Sequence, residues 1–285
     1  MIDFALSDEE RLAQKTARDF AARRLAPHVR AHEREGVPND VAREAADLGL
    51  FEASGLVRAL VLEELAAADV AATIAIDAGG PARCVLGAVG QDFEGRTALV
   101  VDPAWVLPAP ADVYVAVARE GVFLSHEAIV ERTPSIAFNS VGCGSVKLRS
   151  ERAIPADTKA VTRGLSEARI HHAALLLGLA RASWEHASRY ARDRVTFGRR
   201  LVDHQAAAFM LVEMAMAVDV ARLAVWRAAT DSDGWHARAA LDEARDAALM
   251  CTERAVQLLG GHGYLEDHPV EKWMREARAL SLVWR

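Results

Sequence analysis

Apolar positions recur at helical spacing through the first ninety residues and fall into short alternating runs over the next sixty. They then return to helical spacing up to the end. Ser7 and Glu10 form the S-x-x-E pattern of a capping box, and Ala13, Ala17, Phe20 and Leu25 carry the apolar face of the helix it opens, up to Pro27. Beyond Pro27 polar residues dominate. A second helix is expected over Asp40–Leu48, closed near Gly49, and two more over Leu56–Val70 and Ala71–Val89, the last broken at Gly79, Gly80 and Pro81. Between Thr97 and Pro155 the runs TALVV, ADVYVAV, GVFL, AIVE and SVKL, punctuated by proline and glycine, predict a small antiparallel β unit. No GxGxxG follows a strand, so a dinucleotide-binding βαβ reading has no support. Long helices are then predicted over Ser166–Arg192, His204–Ala229 and His236–Leu259, with a short one from Val270 onward. Asp231–Gly234 and the Gly260–Gly263 segment supply the turns.

The expected fold is therefore mainly α with a small β unit. It comprises an N-terminal helical domain over 1–92, a short antiparallel β domain over 93–158 and a C-terminal antiparallel helix bundle over 159–285. The 285 residues are 52% hydrophobic, enough for a substantial core. A net charge of −6 argues against nucleic acid or an anionic membrane as the main partner. Cys84, Cys143 and Cys251 are scattered without metal-ligand spacing, so no metal is expected and a reducing cytoplasm is. The polar start argues against a signal peptide, and no apolar run reaches the roughly 20 residues of a membrane span.

Six segments then stand in a telling order. The opening FALSDEERLAQKTARDFAARRLAPHV is followed by ADLGLF and VLEELAAAD. Towards the end come YARDRVTFG, HQAAAFMLVEMAMAVDVAR and QLLGGHGYLEDHPVEKWMREAR. Together they resemble the acyl-CoA dehydrogenase family, closely over Arg169–Arg278, fairly over the first seventy residues and poorly between. The resemblance implies FAD-dependent α,β-desaturation of an acyl-CoA thioester: a carboxylate takes the α-proton while the β-hydrogen leaves as hydride to the flavin. Arg194 and Phe197 match the positions that reach the FAD of a neighbouring subunit, the guanidinium forking the pyrophosphate beside an aromatic ring. The same segment could equally be a helix-ending arginine with a core phenylalanine. Gln257, Gly260 and Gly261 match a second cluster on that dinucleotide, although a glycine helix cap reads identically. Gln205, beside His204, is a further flavin-side position or a plain helix start. Arg169 matches an arginine facing the CoA thioester arm, with a surface arginine as the plain alternative. His171, His172 and His186 lack zinc-helix spacing and read as packing or surface residues.

No catalytic residue is assigned. The family's two seats for the glutamate base fall on Trp284 and on Ala168, and neither an indole nor a methyl accepts a proton. Arg285 comes next and last, so no further helix is expected. Glu167 and Glu276 are the nearest carboxylates, but one step along a helix turns a side chain by roughly 100°. The family's flavin-wrapping T-E-P-x-A-G-S-D stretch and its W-I-T-N strand have no counterpart. Three readings stay open: a subunit that completes a shared FAD site with a homologous acyl-CoA dehydrogenase subunit supplying the base, a self-sufficient homo-oligomer with an unrecognised base, and a non-catalytic binder of acyl-CoA or protein.

Overall fold

A computed structural model describes residues 5–118, 121–133, 135–231 and 233–284. Ser232 of the expected Asp231–Gly234 turn and Arg285 lie outside them. The capping box forms as expected: the Ser7 hydroxyl accepts from the Glu10 N–H at 3.2 Å, and the Ser7 N–H donates to the Glu10 carboxylate at 2.6 Å. Helix α1 (Asp8–Phe20) runs on through a π turn to Leu25 and a 3-10 turn at Pro27, and the chain then forms α2 (Val29–Glu35). Periodicity did not predict α2, because its one inward residue is His32 rather than an apolar side chain. Helix α3 covers Asn39–Asp47.

The breaks expected across Leu56–Val89, after Val70 and at Gly79–Pro81, appear close to those positions. Helix α4 runs Gly55–Ile76 with a kink at Asp69, whose φ of −161° and ψ of 105° are extended, and α5 runs Gly80–Ala88. The kink has a local cause. The Asp69 carboxylate accepts from the Ala72 N–H at 3.1 Å, capping the second half of α4 from within.

Six strands follow: β1 (Thr97–Val100), β2 (Val113–Ala118), β3 (Gly121–Ser125), β4 (Glu127–Arg132), β5 (Gly144–Arg149) and β6 (Arg152–Ile154). They make a four-stranded sheet in the order β1-β2-β3-β6 and a separate β4-β5 pair. The unit is antiparallel except for β1 and β2, which pair in parallel.

Helix α6 spans Thr158–Asp193, beginning eight residues before its apolar periodicity suggests because Asp157 caps it by accepting from the Ala160 N–H at 2.7 Å. The minimal hairpin β7-β8 (Val195–Thr196 and Arg199–Arg200), α7 (Gln205–Thr230), α8 (Gly234–Leu259) and α9 (Val270–Leu280) complete the chain. One apolar core joins the N-terminal helices to α6–α9, and a second joins α5 and the start of α6 to the sheet. Gly178 lets α6 cross α4 closely: a Cβ there would stand 2.7 Å from Ala66 Cβ and from the Glu63 carbonyl. Among the described residues no helix is long and apolar enough to cross a membrane.

Three charged side chains are sealed between the α4 kink and α9. Lys272 Nζ stands 2.9 Å from Asp69 Oδ1 and 2.6 Å from Glu276 Oε1, and none of the three is more than 2% exposed. The cation satisfies one oxygen of each carboxylate and ties the bundle's last helix to the broken helix of the N-terminal segment.

Candidate functional site

Arg194 closes α6, its N–H donating to the Tyr190 carbonyl at 2.8 Å. The hairpin that follows turns on Phe197 (φ 51°) and Gly198 (φ 79°). Two consecutive left-handed residues make a tight two-residue turn, natural for Gly198 and strained for a phenylalanine. That turn holds the Phe197 ring out of the chain's own core, 98% exposed. His204 fastens the base of the hairpin, accepting from Arg199 Nε at 3.2 Å and lying 3.1 Å from the Thr196 carbonyl. Gln205 then opens α7.

The Gly260–Tyr264 turn after α8 meets this same end of the bundle. The Tyr190 ring packs against His262 and His268 at centroid separations of 6.1 and 5.7 Å, and His186 Nε2 lies 3.0 Å from His268 Nδ1. These rings, between 72 and 82 residues apart in sequence, bridge the two segments; no spacing signal announces them. Arg194, Gln205 and Gln257 are exposed, and their side chains hydrogen-bond to nothing in the chain among the described residues. An added Cβ on Gly260 or Gly261 would meet nothing within 4 Å. The matched positions thus share one end of the bundle as an uncommitted guanidinium, ring, amides and open backbone. Such a set fits a polyanion with a flat ring system approaching from outside. Gln257 also edges a groove of about 950 Å³ lined by Trp105, Met250, Met274 and Arg278.

The expected seats of the base lie elsewhere, and the structure brings them together. Ala168 is fully buried, and Trp284 packs on the same cluster. The Trp284 ring lies edge-on to His172 at 5.6 Å, and Arg169 Cζ sits 4.9 Å above it. A cation over an indole face is a favourable contact. Burial and nearby Arg238 both push the Arg169 guanidinium below its ordinary pKa. The buried imidazole of His172 is pushed down to about 4 by desolvation, so it is neutral here.

Neither nearby carboxylate substitutes. Glu167 faces a different hollow, with Arg58 and Cys84, and Glu276 is locked on Lys272. Desolvation raises the Glu276 carboxyl to about 7 against the pull of Lys272. A raised acid favours the folded state fully below its ordinary 4.5, and that contribution is lost as the pH climbs to about 7. Asp69 is shifted the other way, so its opposing effect lies below its ordinary 3.8. Glu276 alone therefore contributes a decline of up to about 1.4 kcal/mol per unit between pH 4.5 and 7, while the depressed His171, His172 and His186 make stability rise with pH up to their ordinary 6.5. Urea unfolding across that window should show Glu276→Gln shifting the slope upward from that of the parent by up to this amount; an unchanged slope places the titration elsewhere.

Comparison with known proteins agrees with this layout. Residues 7–90 match the family profile described as the acyl-CoA dehydrogenase N-terminal domain, and residues 158–283 match that of the C-terminal domain. An acyl-CoA dehydrogenase of Bacillus subtilis is 40% identical over 123 residues, which is 41% of this chain and 32% of that protein. The match thus spans about a third of that relative's length. Butyryl-CoA dehydrogenase from Megasphaera elsdenii superposes with a TM-score of 0.79 at 23% identity, over 99% of this chain and 95% of that one. A glutaryl-CoA dehydrogenase from Mycobacterium smegmatis in complex with FADH2 gives 0.77 at 16% identity, over 97% and 91%. With both terminal domain profiles matched in order on this fold, the chain belongs to the acyl-CoA dehydrogenase family.

Proposed function

We propose that this chain is a subunit of an FAD-dependent enzyme that desaturates an acyl-CoA thioester, completing a flavin site that a second, homologous subunit holds and equips with the base. The observation that carries this reading is a separation. Arg169 and Arg194 stand on one unbroken helix, 25 residues apart, or about 37 Å at 1.5 Å per residue. That exceeds the length of an extended flavin dinucleotide. The exposed end with Arg194, Phe197, Gln257, Gly260 and Gly261 therefore serves a different flavin from the one beside the chain's own base seat. At that seat Trp284 and Ala168 offer no carboxylate.

In this reading Arg194 ion-pairs with the pyrophosphate, Phe197 packs beside it, and Gln205, Gln257 and the two glycines contact the rest of the dinucleotide. Arg169 faces the anionic CoA arm. The flavin supplies hydride acceptance. A likeness to a structure holding FADH2 supports the choice of cofactor. A surface for pairing is also present. Helix α7 exposes Phe209, Val212, Met216, Val220 and Leu223, each about half or more exposed, at spacings of three and four. Such a stripe seeks another helix. A homologous bundle, or a second copy of this chain, is the partner of matching shape.

The plug of Trp284 under Arg169 also favours a second reading, in which the chain binds acyl-CoA or a protein without redox chemistry. Co-expression with a full-length homologous acyl-CoA dehydrogenase separates the two. The shared-site reading expects a stable complex whose acyl-CoA oxidation is lost when the partner's glutamate base is replaced. A chain that stays apart from every such subunit, or binds acyl-CoA without altering oxidation, sinks it.

A further inference from the structure

On another flank of α6 from Trp284, a hollow of about 220 Å³ opens between the Phe51–Gly55 loop, the start of α4, α5, α6 and the last turn of α7. Its floor is apolar, made by Phe51, Ala59, Leu62 and Ile170, all less than a tenth exposed. The space is somewhat larger than the engineered cavity of about 150 Å³ that takes benzene.

The charged groups around it differ in how far they are committed. Arg58 is tied down, donating to the Phe51 carbonyl at 2.9 Å and to Asp77 Oδ2 at 3.1 Å. The side chains of Arg83 and Glu167, both half-buried, make no hydrogen bond or ion pair among the described residues, not even with each other. The Arg83 guanidinium is laid over Gly79, its Nε 2.5 Å from where a Cβ would stand, so a larger residue at 79 would displace it. Burial without a partner moves the Glu167 carboxyl towards its protonated form, against the pull of Arg163 and Arg58. One free cation, one carboxyl inclined to keep its proton and an apolar floor therefore share a small space.

We propose that this hollow binds a small carboxylate with an apolar body of about four to six carbons. The carboxylate lies between the Arg83 guanidinium and the Glu167 O–H, and the chain rests on Leu62, Ala59 and Ile170. An amine fits poorly, since two arginines line the hollow. A phosphate dianion fits poorly too, with Glu52 and Glu167 opposite a single free arginine. The site is separate from the flavin-facing end, and the inference does not rest on the proposed function.

The affinity depends on pH through Glu167. Facing it are Arg163 on its own helix, Arg58 and Asp77 from α4 and its end, Arg83 and Cys84 on α5, His171 and, at the rim, Glu52. Burial raises the Cys84 thiol to about 11, so it stays neutral up to pH 8, and burial with Arg58 nearby drives His171 well down, towards its neutral form. Raising the pH ionises Glu167, removes its donor and sets a like charge against the ligand.

Calorimetric titration of the full chain with pentanoate, from pH 5.5 to 8, tests the proposal. The expected result is one saturable site whose affinity falls by up to about ten-fold per pH unit once Glu167 ionises. Arg83→Gln weakens binding about ten-fold or more, and Glu167→Gln keeps binding while losing the pH dependence. Pentanamide binds correspondingly more weakly than the acid. Circular dichroism confirms that each variant is folded. No saturable binding at millimolar pentanoate, equal binding of the amide, or an Arg83→Gln variant that binds normally each overturns the proposal.

Discussion

Lys272→Met lowers the unfolding free energy by about 3–5 kcal/mol, the expected cost of breaking a buried ion pair from one side. Methionine has the length and apolar stem to fill the space, so little of the loss comes from packing. The loss comes from Asp69 and Glu276, at 0% and 2% exposure, which are left without a cation. Each already has one oxygen with no hydrogen-bond partner, and on losing Lys272 Asp69 keeps the Ala72 N–H while Glu276 keeps no side-chain partner among the described residues. Protonating Glu276 relieves one charge, and the deficit should therefore shrink at lower pH. The variant Asp69→Asn/Lys272→Met/Glu276→Gln should recover much of the loss, because asparagine still caps the second half of α4. Urea unfolding measures all of these. A loss below about 1 kcal/mol for Lys272→Met would mean that solvent reaches the cluster.

Phe197→Gly is expected to do two opposite things. The residue stands at φ 51°, where a side chain costs about 1–2 kcal/mol and glycine nothing. Its ring is 98% exposed and contributes little to the chain's own packing. The substitution should raise the chain's stability by about 1 kcal/mol. On the proposed reading it should also weaken flavin retention in the complex with a homologous subunit, because the ring would be lost from the proposed shared site. On the proposed reading, Arg194→Ala removes charge-assisted hydrogen bonds to the pyrophosphate, each worth about 1.5–3 kcal/mol, so retention is expected to fall about 10- to 100-fold. Its effect on the chain's own unfolding stays within about 0.5 kcal/mol, since the side chain bonds to nothing among the described residues. Dialysis of the complex followed by flavin fluorescence gives the retention. Variants that lose stability and keep flavin contradict the assigned roles.

The helix–strand–helix order was legible because apolar spacing changes period twice, and the Ser7–Glu10 box and the strand runs were read close to their observed bounds. The break in α4 was legible, expected after Val70 and found at Asp69, but its cause was not. An aspartate within LEELAAADVAATI looks like any polar position on a helix, and only its bond to Ala72 shows it to be an internal cap. Helix α2 was missed because His32 faces inward where an apolar residue would have announced a helix. The parallel pairing of β1 with β2 depends on tertiary placement, which alternation does not encode. Lys272, one of four lysines, resembles a solvated charge until the kink brings Asp69 to it.

For the site, RVTFG and QLLGG carried the resemblance, and exposure shows that both present free groups. Their meeting through Tyr190, His262 and His268 required the fold. The empty base seats were visible as letters. That Trp284 and Ala168 share one cluster, with Arg169 laid over the indole, was visible only in three dimensions.

A shared flavin site is tested most directly by the visible spectrum of the chain purified alone and again in complex with a homologous acyl-CoA dehydrogenase subunit. The expected result is a colourless isolated chain and a yellow complex whose flavin is released faster by Arg194→Ala. An isolated chain that carries one flavin each and oxidises acyl-CoA unaided would show the site to be complete within copies of this chain.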